Sequence, residues 1–148
     1  LYTQQQEQQG KISKEEAKRL LQALENDEKK LQEKMVEYVM GIKKTKDSEI
    51  LYINFLLDIM PHCDCHDLSL VPFVSDLGIL FSHDPVAIDL ASLDLINSVP
   101  FNPVSEFSKD NKVKDKFRSI TQDTEWKWQF DYGQEMGIGS KQYKLIDV

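Results

Sequence analysis

The sequence predicts an α/β fold: a parallel or mixed sheet flanked by helices and preceded by an N-terminal helical extension. Two strand-sized apolar runs, EILYINFLLDI at 49–59 and DLGILFS at 76–82, lack the polar alternation of a half-exposed strand and suit strands covered on both faces. The segment VAIDLASLDLINS at 86–98 has the length and the Ala and Leu content of a helix, and it follows the second run directly. Residues 11–40 set apolar positions at helical spacing among charged ones. A chain of 148 residues with 41% hydrophobic side chains is the size of one domain and can bury a core.

In chain order, Ser13 and Glu16 have the spacing of a capping box, and Ala17, Leu20, Leu21 and Leu24 follow at helical intervals. Asn26 and Asp27 interrupt this stripe. Leu31, Met35, Tyr38, Val39 and Ile42 resume it, and Gly41 stands where a helix would end. A second helix, or a continuation of the first, is expected there, as a charged surface helix that covers a sheet or pairs with another helix. Asp84 is a good N-cap and Pro85 fits the first helical position, so strand, tight turn and helix follow one another from 76 to 98. After the loop VPFNPVSEFSKDNK, a helix is expected over Asp123–Met136, with Gly137 and Gly139 ending it and QYKLIDV adding a final strand.

The net charge of −7 is unevenly spread, since residues 1–48 carry ten Lys or Arg against nine acids and residues 49–148 carry eight against sixteen. No Lys or Arg occurs from Asp47 to Ser108, a stretch that holds ten acids. Nucleic acid binding requires neutralised phosphates, so this region excludes itself from that role and suits a cation or a basic protein partner. The opening LYTQQQEQQG has neither the charged start nor the apolar stretch of a signal peptide, and no apolar run is long enough for a membrane span. The expectation is a soluble, cytoplasmic protein with reduced thiols, because two cysteines one residue apart do not readily close an unstrained disulfide.

The stretch PHCDCH at 61–66 holds both cysteines and two of the three histidines, and it follows the first strand, while His83 and Asp84 follow the second. If the strands are parallel neighbours, both loops lie on the C-terminal rim where ligands bind in open α/β sheets. Thiolate and imidazole are the donors that zinc and softer metals select, and alternate residues of an extended segment project to one side. Cys63 and Cys65 can therefore face one ion, with His62 or His66 as a third ligand and Asp58 or Asp76 orienting an imidazole, while His83, Asp84, Asp58 and Asp76 are the candidate cofactor-binding residues of the same rim, His83 and an aspartate being able to add ligands. The plainer alternative treats Cys63 and Cys65 as small, partly buried loop residues, Asp84 as a helix cap and His83 as a satisfied loop histidine. A reactive thiol needs an imidazole at hydrogen-bond range, which His66 or His83 could supply. No P-loop, GxGxxG or nucleophile elbow is present, so a hydrolase or transferase reading ranks third, behind a metal-associated protein and an interaction domain.

The stretches EKMVEYVMGI, YINFLLDIMPHCDCH, VSDLGILFSHDPVAIDLASLDLIN and GQEMGIGSKQYKLIDV resemble the C-terminal part of the domain of unknown function 362 family, over residues 32–148. Many members of that family carry a two-cluster ferredoxin module ahead of this region and are described as iron–sulfur proteins. No CxxCxxCxxxCP run exists here, so no cluster ligand carries over to a residue of this chain. The resemblance implies that Cys63, Cys65 and Asp84 sit in recurring family motifs. It divides the chain into an N-terminal charged helical extension at 1–31, similar to a segment of tetratricopeptide-type aerotolerance proteins, and an α/β part at 32–148.

Two functions follow as expectations. One is an iron–sulfur- or metal-associated protein with a redox or electron-transfer role, holding zinc or meeting a cluster through Cys63, Cys65, His62 and His66, with a ferredoxin-like partner. The other is a metal-free interaction domain or partial remnant of a larger protein. A chain holding part of a family domain leaves a sheet edge and an apolar face to pair with a second copy or with a subunit that supplies the missing half.

Overall fold

The structure is a computed structural model that describes residues 13–45, 49–62, 70–109, 113–121 and 125–148. Cys63, Cys65 and His66, three of the proposed ligands, lie outside the described residues, as do Asp64 and Asp67. The α/β class holds, with a small sheet and a long N-terminal helix.

Helix α1 (Lys14–Thr45) starts at the expected capping box: Glu16 N–H donates to Ser13 Oγ at 3.2 Å, and Ser13 N–H donates to Glu16 Oε2 at 2.9 Å. It runs unbroken through Asn26, Asp27 and Gly41, because a single poor helix former costs only about 1 kcal/mol within a long helix. The stripe that docks on the rest of the molecule is Gln32 and Val36, with Val39 and Met40 beside them. Polar ties fix the docking: Gln129 N–H donates to Gln32 Oε1 at 3.2 Å, and Lys43 Nζ donates to the Ile138 carbonyl at 2.7 Å.

Strands β1 (Tyr52–Leu56) and β2 (Gly78–Ser82) pair antiparallel, with Tyr52 opposite Ser82 and Leu56 opposite Gly78. Among the described residues these are the two strands of the sheet, which corrects the expectation of parallel or mixed strands. The reason lies in the sheet's two faces. Leu56 is buried on the inner face, and Asn54 Nδ2 there donates to Asp89 Oδ1 and Ser92 Oγ at 2.8 and 3.0 Å. The outer face carries Ile53, Phe55, Ile79 and Phe81, which are 50–63% exposed. An apolar but uncovered outer face gives the unbroken apolar run that suggests a doubly covered strand.

Helix α2 (Pro85–Ser98) covers the inner face, capped by Asp84 with Pro85 at its first position, as expected. A 3₁₀ turn at Glu106–Lys109, a short helix α3 (Lys116–Ile120) and helix α4 (Lys127–Glu135) complete the described elements. Helix α4 lies inside the expected Asp123–Met136 range, whereas QYKLIDV runs without strand pairing. Two apolar clusters form the core. One joins Val36, Val86, Leu93, Phe130 and Ile138; the other joins Leu56, Phe73, Val74, Ile96 and Phe101. Phe117 packs against both. Among the described residues no helix is long and apolar enough to cross a membrane.

Candidate functional site

The thiol loop departs from one end of the strand pair, and three hydrogen bonds close its neck, two between backbone groups and one from a backbone N–H to a carboxylate. Leu77 N–H donates to the Leu56 carbonyl at 2.8 Å, and Phe73 N–H donates to the Ile59 carbonyl at 3.0 Å. Between them, Asp58 takes a left-handed backbone with φ 48°, a conformation that aspartate tolerates better than most residues. Its N–H donates to Asp76 Oδ1 at 2.8 Å. Phe73 and Val74, downstream of the loop, are 2% and 0% exposed and anchor the returning chain in the core. Sequence-predicted Asp58 and Asp76 are thus brought together at the base of the loop, and His62 is exposed at its first turn.

His83 belongs to the other end. Because β1 and β2 are antiparallel, Ser82 lies opposite Tyr52, and His83 turns back onto the start of β1. Its Nδ1 lies 2.9 Å from the Ile50 carbonyl oxygen, and Nε2 is 4.0 Å from Glu49 Oε2. Four residue steps of strand, on the order of 14 Å, separate the Ser82 end from the Gly78 end where the loop is anchored. The shared rim expected for the two loops is therefore corrected, since it required strands running the same way.

Asp84 has structural duties on both carboxylate oxygens. Oδ1 accepts the Ala87 N–H at 2.9 Å as helix cap, and Oδ2 accepts the Ser140 N–H at 2.8 Å. Gly139 is required beside it, because an added Cβ would run into the Asp84 carboxylate and lie 2.9 Å from Val86 Cβ. The HDP and GIGS segments are one structural joint.

Three polar features escape the sequence reading. Tyr143 hydroxyl donates to Asp94 Oδ2 at 2.6 Å, and burial followed by that carboxylate pushes the phenol up to about 12. Tyr52 is raised by burial and then by nearby Asp84, and among the described residues its hydroxyl is buried without a hydrogen-bond partner. Lys116, 3% exposed, donates from Nζ to the Asn97 carbonyl at 2.9 Å and sits 5.2 Å from the Phe101 ring centre, with burial lowering its proton affinity. Each depends on packing between segments distant in sequence, so local spacing carries no signal for them.

Among the described residues, no three His, Cys, Asp or Glu side chains gather in a way that could hold a metal ion. Two thiolates are too few for an iron–sulfur cluster held by this chain alone, whereas two thiolates and an imidazole make three of the four ligands of a tetrahedral zinc. No curated protein and no solved structure matches the chain. One family model does match, over residues 4–94, taking in α1, β1, the thiol loop, β2 and α2 as far as Asp94. The match includes residues before 32, which the motif resemblance leaves out, and stops before the GIGS joint. The chain belongs to the family described as Domain of unknown function (DUF362).

Proposed function

We propose that this chain is an iron–sulfur- or metal-associated protein with a redox or electron-transfer role, and that residues 62–66 are its ligand segment. Cys63 and Cys65 act as thiolate ligands, and His62 or His66 adds an imidazole that Asp58 or Asp76 orients. The fourth donor, or a cluster itself, comes from a ferredoxin-like partner. One observation carries the reading: the hydrogen bond from the Asp58 backbone N–H to Asp76 Oδ1 holds these two acidic residues together at the loop's neck, within a stretch that has no Lys or Arg from Asp47 to Ser108. Such a rim favours a cation or a basic surface. His83 and Asp84 take no part, because one leaves the opposite end of the strands and the other is occupied by two backbone N–H groups. Metal analysis of anaerobically purified protein tests the reading. Stoichiometric zinc or iron is expected, lost in both Cys63→Ser and Cys65→Ser.

The bare outer face of the sheet favours a second reading, a metal-free interaction domain. Ile53, Phe55, Ile79 and Phe81 form two cross-strand pairs that remain exposed, and a subunit supplying the rest of an α/β domain would cover them. Metal-free protein whose folding is unchanged in both cysteine variants supports this reading over the first.

A further inference from the structure

Helix α1 carries a second apolar stripe that its own chain leaves uncovered. Written as heptads with Leu21 at position a, the helix places Leu21, Glu28, Met35 and Ile42 at a and Leu24, Leu31 and Tyr38 at d. The six apolar members are 55–76% exposed. The docking stripe of Gln32, Val36, Val39 and Lys43 falls instead at positions e and b, so the body of the molecule sits on one flank, reaches the seam at Glu28, and leaves the apolar a/d positions and the g flank open. A repeat of 3.5 residues kept from Leu21 to Ile42 is the pattern of a helix that pairs with another helix.

We propose that α1 pairs antiparallel with α1 of a second copy of the chain, in the register that sets Leu21 against the partner's Tyr38 and Leu24 against the partner's Met35. Three features meet in this register. The seam layers are apolar apart from Glu28, which lies opposite the partner's Leu31 and whose Oε1 is turned to its own chain, accepting from Gln32 Nε2 and Glu125 N, both at 3.1 Å. On the g flank, Asp27 lies beside the partner's Lys34, and the two-fold axis repeats that pair. On the same flank, Leu20, 56% exposed, lies beside the partner's Gly41. In each chain Gly41 borders a groove of about 570 Å³ shared with Lys34, Tyr38 and Ile42, with nothing within 4 Å of where a Cβ would stand. A parallel pair would stack Glu28 on itself in the seam and set Asp27 against Gln32, losing the charge match.

Sedimentation velocity over a concentration series tests the proposal. The wild-type chain is expected to form a dimer, and Leu24→Glu with Met35→Glu is expected to abolish it while near-UV circular dichroism stays unchanged, since both side chains are exposed. Asp27→Lys is expected to weaken the dimer at low salt, and adding Lys34→Asp to the same chain is expected to restore it, because each pair then has its charges exchanged. A wild-type monomer at the highest concentrations overturns the proposal. So does a dimer that survives the double Glu substitution, or a charge exchange that restores nothing.

Discussion

The carboxylate of Asp84 accepts the backbone N–H of Ser140 at 2.8 Å, tying the start of α2 to a segment 56 residues further along the chain. Gly139 makes this approach feasible, since a Cβ there would stand 2.8 Å from Asp84 Cγ. Gly139→Ala is expected to destabilise the fold by about 1–3 kcal/mol through overpacking. Asp84→Ala is expected to remove about 1–2 kcal/mol of capping and a second hydrogen bond as well. The two changes act on one joint, so the double variant should lose less than the sum. Urea denaturation at constant m-value measures all three; additive losses would mean that the two residues act separately.

The outer face of the sheet should contribute little to folding. Phe55 and Phe81 are 63% and 60% exposed and pair only with Ile79 and Ile53 across the strands. Replacing both by Ser is expected to lower stability by about 1–2 kcal/mol in total, against about 3–5 for one buried phenylalanine. The same variant should bind far less of an apolar fluorescent dye such as ANS. Unchanged dye binding, or a loss of the size of a core deletion, would show that this face is covered.

Tyr143 gives the fold a dependence on alkaline pH. Its hydroxyl donates to Asp94, and burial with that carboxylate raises the phenol from its ordinary 10 to about 12. A group with a raised folded value contributes stability that is complete below the unfolded value and disappears as pH rises through the folded one. Stability is therefore expected to fall between about pH 10 and pH 12, and Tyr143→Phe should flatten that fall. Tyr52 is raised as well, so ultraviolet titration of phenolate should show more than one late tyrosine, and Tyr143→Phe should remove the one that titrates near pH 12. Loss of a phenol that titrates at the ordinary value of about 10 would count against the Asp94 contact.

Much of the local structure was legible in the residues, and the failures have a common cause. Ser13 with Glu16 and Asp84 with Pro85 act within one helical turn, so spacing alone identifies them. Gly41 was misleading because one glycine does not stop a 32-residue helix. The strand direction failed for a different reason: Ile53, Phe55, Ile79 and Phe81 are apolar yet exposed, and apolar composition alone does not say whether a face is covered. The polar partner of β1 on its inner face, Asn54 with Asp89 and Ser92, lies beyond any local pattern. At the candidate site, Asp58 and Asp76 meet as neighbours of the loop, while His83 is carried away by the antiparallel turn of the chain.

That separation is the point on which the functional account turns, and cobalt(II) titration of the anaerobic protein addresses it directly, through the thiolate-to-metal absorption of the bound ion. If residues 62–66 hold the metal, His83→Ala should titrate like wild type, while Cys63→Ser and Cys65→Ser lose the absorption. A His83→Ala protein that loses binding as completely as the cysteine variants would contradict the account, because His83 follows the Ser82 end of the strand pair whereas the chain leading to residues 62–66 leaves from the Leu56 end.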